Sequence, residues 1–249
     1  MTKCSTEQLS FSYLKRRKLT VDFQGGEITS DAGVLLLRQA DDCLGLSKGI
    51  SQCIVDRRDA RYVDHDQQDM LRQRLYLITA GYEDCNDADM LRRDPAFKAS
   101  CDRLLDDPDL ASQPTLSRLE NSVTAADLYR IAEYFLSLYL RRTKKRKPKR
   151  IILDIDATDD PTHGNQQLTF FHGFYDQHMY HPLLMYDADS GDLVTAVLRP
   201  GNKHASHGLV SILKRVIPRI RQALPNVQLI IRADAGKAIP ALYEYCEQE

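Results

Sequence analysis

The chain has 249 residues, enough for one large domain or two modest ones with a buried core. Hydrophobic residues make up 43% and charged residues 28%, with 12 glycines and 10 prolines, which excludes a collagen-like, low-complexity or wholly disordered chain. Lys+Arg 34 balance Asp+Glu 35, so the net charge of -1 argues neither for nor against a nucleic-acid partner. The position of the charges matters more than their sum.

Targeting signals and cysteine spacing indicate a cytosolic protein. No apolar run approaches the roughly 18–20 residues that span a bilayer, and residues 1–10 lack the apolar core of a signal peptide. The six cysteines include no pair at C-x-x-C spacing, so we expect reduced thiols instead of a disulfide framework or a zinc site.

Residues 1–140 predict a helical region. Three helices carry a polar residue where an N-cap belongs, namely Ser30, Asp66 and Thr124, the last in a capping-box pattern with Asp127. Gly45 and Gly81 end the first two helices. Residues 113–121 predict a shorter helix carrying Arg118, which either contacts DNA as in a helix-turn-helix or joins two core helices.

A basic segment follows at residues 141–150, RRTKKRKPKR, where eight of ten residues are Lys or Arg. We place the domain boundary there, because helical patterns precede it and β-branched runs follow it. The segment is either a solvated linker or a site for a phosphate backbone, whose binding would fall steeply with salt.

Residues 151–249 change to a strand period. Four strands are predicted, at 151–155, 180–186, 193–198 and 227–231, with a hairpin turn at 187–192. Ser206 is placed to cap a helix between the third and fourth strands, and Pro240 begins another. A strand after a helical crossover usually lies parallel to an earlier one. If the fourth strand pairs with the first, Asp154, Asp156 and Asp234 meet at one sheet edge.

These aspartates are the first candidate site. Asp154 and Asp156 point to one face of their strand, opposite Leu153 and Ile155. Carboxylates from adjacent strands suit Mg²⁺, and two such ions about 4 Å apart can drive phosphodiester chemistry. The alternative is that these are strand-end aspartates that cap turns.

The histidines are the second candidate site. Six of seven fall between His163 and His207, including the pairs His178/His181 and His204/His207. A zinc metallohydrolase is therefore an alternative, although no H-E-x-x-H frame is present and the flanking Gly and Pro favour loops. Motifs for acyl hydrolases and nucleotide-binding folds do not occur.

Several segments resemble the DDE transposases of bacterial insertion sequences, over nearly the whole chain and in the expected order. They are residues 81–89 (GYEDCNDAD), 113–121, 153–158 (LDIDAT), 161–164 (PTHG), 198–202 (LRPGN) and 232–236 (RADAG). The resemblance implies an α/β fold, with a helical N-terminal region that binds DNA, followed by an incomplete ribonuclease H-like domain, a mixed sheet with helices. Asp156 and Asp234 match the first and second catalytic acids, and Asp154 is a neighbour in a supporting role.

The implied activity is DNA transposition, in which Mg²⁺ (or Mn²⁺) ions serve cleavage of element ends and joining of the 3′-hydroxyl to target DNA. The implied partner is double-stranded DNA, both terminal repeats and target, bound by a homodimer of the complete protein. No membrane is involved, and the location is the bacterial cytoplasm at the nucleoid. The predicted DNA-binding residues are Arg118, Lys144, Lys145, Arg146, Lys147, Lys149, Arg150, Arg199 and Lys203.

Two departures from the family pattern qualify this prediction. Lys237 stands where relatives commonly have an aromatic residue, and the third acid, a Glu on a helix beyond a further strand, has no counterpart. We therefore expect the N-terminal portion of a transposase that is poorly soluble alone, binds Mn²⁺ weakly and does not nick or join DNA. The alternative is a non-enzymatic DNA-binding remnant that inhibits transposition.

Overall fold

The computed structural model describes residues 8–164 and 166–249, which divide into two compact units between Leu128 and Tyr129. The expectations that concern residues 1–7, including Cys4 and the start of the chain, lie outside the described residues. The other five cysteines form no disulfide with one another among the described residues. The division precedes the boundary predicted at residues 141–150, because residues 141–146 continue a helix. Basic residues in the last turn of a helix complement the helix dipole. A dense run of positive charge is therefore compatible with a helix and does not by itself mark a linker.

The first unit opens with an antiparallel hairpin and continues in helices. The strands are β1 (Leu9–Leu14) and β2 (Arg17–Val21). The helices are α1 (Val34–Leu44), α2 (Leu46–Cys53), α3 (Gln67–Thr79), α4 (Ala88–Leu91), α5 (Pro95–Ser100), α6 (Gln113–Ser122) and the start of α7 (Ala125–Arg146). Short 3₁₀ turns lie at Ala60–Tyr62 and Cys85–Asp87.

Two of the three helix caps predicted within residues 1–140 are confirmed. The Asp66 side chain accepts the amide of Asp69 at the start of α3. The Asp127 carboxylate accepts both the amide and the hydroxyl of Thr124, as in a capping box. The Ser30 cap is wrong, because α1 begins after Gly33 and the Ser30 hydroxyl donates to Asp31 instead.

The second unit contains two sheets and the remaining helices. The strands are β3 (Arg150–Ala157), β4 (Asp160–Pro161), β5 (Phe170–His172), β6 (Gln177–Tyr180), β7 (Leu183–Asp187), β8 (Leu193–Val197) and β9 (Gln228–Ala233). The helices are α8 (Leu209–Ala223) and α9 (Pro240–Gln248), with a 3₁₀ turn at Ala235–Lys237.

The larger sheet has the order β8-β7-β3-β9, with β3 and β9 parallel and the other pairs antiparallel. The predicted hairpin and the parallel pairing are therefore confirmed, and the unit is the α/β fold with a mixed sheet. Between β3 and β7 the chain forms a second sheet, β4-β6-β5, which the sequence did not predict.

Two local expectations are corrected. Residues 180–186 are not one strand, since Tyr180 ends β6 and β7 begins only after Pro182, which has no amide hydrogen to donate. Ser206 does not cap α8, which begins after Gly208 in the left-handed conformation (φ 77°). The Ser206 hydroxyl bonds the His204 ring nitrogen Nδ1.

Alternation along β3 separates the core from the exposed face of the sheet. Ile151, Leu153 and Ile155 are buried and belong to one cluster with Leu213 and Ile217 of α8. Apolar burial stabilises this pairing and forces Asp154 and Asp156 onto the opposite face. No helix of the described residues is long and apolar enough to cross a bilayer.

Gly201 is needed for the chain after β8 to lie against the smaller sheet. A Cβ at this position would come within 2.0 Å of the Met179 carbonyl oxygen and 2.6 Å of the Phe170 carbonyl oxygen. Neither backbone oxygen can move without disturbing the pairing of β5 with β6. Pro200 also bridges Tyr180 at this point.

We expect Gly201→Ala to lower the free energy of unfolding by about 3 kcal/mol, at the upper end of overpacking costs. Urea denaturation followed by circular dichroism measures the change. Gly173→Ala is the matched control, because a Cβ there meets no atom within 4 Å. Equal stability of the two variants would contradict this assignment of Gly201.

Candidate active site

The parallel register of β3 and β9 aligns the two predicted catalytic aspartates. Ile155 pairs with Ala233, so the next residue on each strand, Asp156 and Asp234, stands at the same level. Their side chains are 74% and 58% exposed, so both carboxylates face solvent at the carboxyl ends of adjacent strands. The sequence placed them together for this reason, and the structure brings them together.

Lys237 joins the two carboxylates. Its Nζ lies 3.2 Å from Asp156 Oδ1 and 2.9 Å from Asp234 Oδ2, while its own side chain is 0% exposed. The 3₁₀ turn after β9 produces this contact, because it returns the third residue after Asp234 toward the strand end. Two carboxylates thus converge on one cation at this position. Carboxylate oxygens are also the ligands that a hard metal ion prefers.

Asp154 is bonded elsewhere. It stands opposite Arg232 in the parallel register, and the guanidinium donates to it from Nε at 3.0 Å and from Nη2 at 2.6 Å. This two-point hydrogen bond holds the pKa of the Asp154 carboxyl below its usual value. Asp154 is therefore a surface ion-pair residue in this structure.

Metal ligands beyond the aspartate pair do not gather within residues 8–164 and 166–249: no group of three or more His, Cys, Asp or Glu side chains is placed to hold an ion. The zinc alternative therefore has no supporting geometry in the part of the chain that the structure describes. His181 is buried and bonded through Nδ1 to the Lys203 carbonyl oxygen at 2.8 Å, and His172 packs edge-on against it.

Arg199, predicted to bind DNA, is buried, and this corrects the prediction. Its side chain is 4% exposed, and burial lowers the pKa of the guanidinium. It donates to four backbone carbonyl oxygens, those of His181, His204, Ala205 and His207. Arg199 thus holds the loop at residues 204–207, and Ala205 of this loop lies 3.7 Å from the position of a Cβ on Gly236.

Three arginines of the basic segment form ion pairs with aspartates, whereas its four lysines are exposed. Arg146 contacts Asp187 and Asp192, and Arg150 contacts Asp189. Four lysines of the segment are exposed and have no carboxylate within salt-bridge distance among the described residues: Lys144, Lys145, Lys147 and Lys149. Lys203, the other predicted DNA-binding lysine, is half-buried, and its carbonyl oxygen accepts the His181 bond.

Arg118 is exposed on α6 in the first unit, whose residues Leu116 and Leu119 are buried. It lines a cavity of about 550 Å³ together with Arg57, Arg58 and Arg92. Part of this charge is neutralised within the unit, because Arg58 contacts Asp56 and Arg92 contacts Asp109.

The second unit is an α/β domain with a mixed sheet, and two aspartates stand together at the ends of its adjacent parallel strands. The chain matches the family described as Transposase DDE domain group 1 over residues 11–249 and belongs to that family. Its role is therefore in DNA transposition, with DNA as its partner, and the family generally uses a divalent metal. Comparisons with curated proteins and with solved structures gave no match.

Three contacts near this site are not predicted by the sequence motifs. Arg232 belongs to the RADAG motif, and its position two residues before Asp234 places it opposite Asp154. Lys237, which departs from the family pattern, is a partner of both aspartates. The burial of Arg199 has a signal in the sequence, namely the apolar strand and the Pro-Gly turn around it.

The burial of His181 makes the second unit sensitive to acid. Burial, with Arg199, His172 and Lys237 nearby, depresses the pKa of His181 below its ordinary value. The unfolded state therefore takes up a proton first as the pH falls. This contribution to stability is complete above the unfolded pKa of about 6.5 and is lost as the pH falls through the lower folded pKa.

We expect the free energy of unfolding to fall less between pH 7 and pH 5 in His181→Gln than in the wild type. Urea denaturation at a series of pH values measures this slope. His204→Gln is the control, since His204 is exposed and should keep the wild-type slope. An unchanged slope in His181→Gln would remove His181 as the acid-sensitive group.

Proposed function

We propose that this protein acts on the DNA ends of a mobile element by divalent-metal phosphoryl transfer, with Asp156 and Asp234 as metal ligands. One observation supports this most strongly: both carboxylates converge on a single cationic group at the carboxyl ends of adjacent parallel strands. Bound at that position, a divalent metal would polarise a scissile phosphate and activate the attacking water or 3′-hydroxyl.

The chain's own residues would contribute position and charge. β3 and β9 hold the two carboxylates at one level. Arg232 forms an ion pair with Asp154, so that Asp154 does not compete for the same cation. Arg199 anchors the neighbouring loop, which limits motion beside Gly236. Preorganised ligands of this kind supply charge where it develops during the reaction.

The competing proposal is a DNA-binding protein without catalysis. It is favoured by the lack of a third carboxylate grouped with Asp156 and Asp234 among the described residues. Both proposals include DNA binding, so metal-dependent cleavage separates them. Nicking of DNA with Mn²⁺ that is lost in Asp156→Asn supports the enzyme, whereas binding without nicking supports the second proposal.

We expect Asp156→Asn and Asp234→Asn each to weaken Mn²⁺ binding by at least about tenfold, because a neutral amide is a poorer ligand for a hard cation. Isothermal titration calorimetry of the full chain gives the affinities. Asp189→Asn is the control: it also removes an exposed aspartate of an ion pair, with Arg150, but away from the site. Equal affinity in all three variants would reject the proposed ligands.

For DNA binding, we propose that the four exposed lysines of the basic segment contact the phosphate backbone. Replacing Lys144, Lys145, Lys147 and Lys149 with Ala should weaken binding to unrelated duplexes about equally. The slope of log affinity against log salt should fall by about 3–4, since each phosphate contact contributes about 0.9. Fluorescence anisotropy from roughly 50 to 200 mM salt measures both quantities.

The double variant Lys214→Ala with Arg215→Ala controls for loss of positive charge elsewhere, because both residues are exposed on α8. An unchanged slope in the four-lysine variant would make the segment only a solvated surface. We also propose that Arg118 and Lys203 contact DNA in the complex with terminal repeats and target. In this proposal the complete protein binds that DNA as a homodimer.

A further inference from the structure

The position between the two proposed metal ligands is taken by a side chain of the protein itself. Lys237 Nζ lies within hydrogen-bond distance of one oxygen of each aspartate, at 3.2 and 2.9 Å. A divalent ion held by Asp156 and Asp234 would bind the same carboxylates with which Lys237 forms ion pairs. The ammonium and the metal would therefore compete for this pair of carboxylates.

We infer that Lys237 is a resident cation of the metal site, which holds the two carboxylates together and must be displaced before a divalent ion binds. This inference rests on the proposed function and deepens it. Lys237 is a positioning residue, because it acts through the carboxylates and not on the reacting atoms.

Burial makes the lysine an effective competitor. Its side chain is 0% exposed, although both aspartates are more than half exposed. The lysine is held in place by its packed stem and by a turn only three residues from Asp234, so it meets the carboxylates without a large loss of chain freedom. A metal ion from solution is not tethered to the site in this way, and it must also break the two ion pairs of Lys237.

Because the two aspartates are exposed, the positive charge of Lys237 can be removed without leaving a buried carboxylate unpaired. If Lys237 becomes an uncharged residue, both carboxylates remain hydrated, because their exposed fractions are 74% and 58%. No buried charge is left without a partner, which is the usual reason that breaking a buried ion pair unfolds a protein. Lys237→Met retains the length and apolar stem of the side chain and is therefore the appropriate substitution.

The test compares Mn²⁺ binding to the full wild-type chain with binding to Lys237→Met and Lys237→Gln, by isothermal titration calorimetry. We expect both variants to bind at least about tenfold more tightly, since hydrogen bonds to charged groups no longer have to be broken. The Mn²⁺-induced rise in Tm should increase correspondingly. Lys214→Met is the matched control, an exposed lysine of the same unit that should leave the affinity unchanged.

A second measurement follows the displaced group directly. In a chain with ¹⁵N-labelled lysine, the ammonium signal that is missing from Lys237→Met should shift when Mg²⁺ is added to the wild type. Equal or weaker Mn²⁺ affinity in the two variants, or an ammonium signal that saturating Mg²⁺ leaves unchanged, would overturn the inference. Circular dichroism verifies that each variant is folded.

Adding Asp156→Asn to Lys237→Met separates failure of this inference from failure of the proposed function. Affinity that falls in the double variant assigns the metal to the aspartates, whatever Lys237 does. Affinity that does not fall shows that Mn²⁺ binds elsewhere, which would overturn the proposed ligands as well as the role of Lys237.

Discussion

The parallel pairing of β3 with β9 is the interaction on which the proposed site depends. It joins segments that are far apart in the chain, so that Asp156 contacts Lys237, 81 positions away. The pairing is stabilised by the apolar residues on the other face of β3, which pack with α8. Core packing thus sets the register, and the register aligns the carboxylates. A slip of one residue would turn Asp156 toward the core, where an unpaired carboxylate is costly.

The same two strands carry two ion pairs of different character. Asp154 and Arg232 form a solvent-exposed ion pair between β3 and β9, and exposed pairs of this kind contribute little to stability. The contacts of Lys237 with Asp156 and Asp234 involve a buried stem and converge on one position. The arrangement separates one aspartate, which is neutralised locally, from two that share a cation. That separation is the electrostatic basis of the proposed metal site.

The chain beside the site is positioned mainly by backbone contacts. The Arg199 guanidinium donates hydrogen bonds to four backbone carbonyl oxygens. Gly201 allows the next turn to lie directly on the smaller sheet. Both residues belong to the segment 198–202 that carried the family resemblance. Their contacts give a structural reason for that motif, since a loop without regular secondary structure needs an internal donor and a close backbone approach to be held in one place.

Sequence alone determined the features that depend on local periodicity and capping. The strand alternation that exposes Asp156 follows from side-chain spacing, and the caps at Asp66 and Thr124 follow from residue type. The hairpin and the parallel pair of the mixed sheet follow from the order of the elements. The family resemblance likewise needed only motifs in order. Tertiary structure decided which charges meet. Arg146 and Arg150 are paired with aspartates of the hairpin turn and Lys237 reaches Asp156, because these contacts join residues that are far apart in the chain and meet only when the sheet forms.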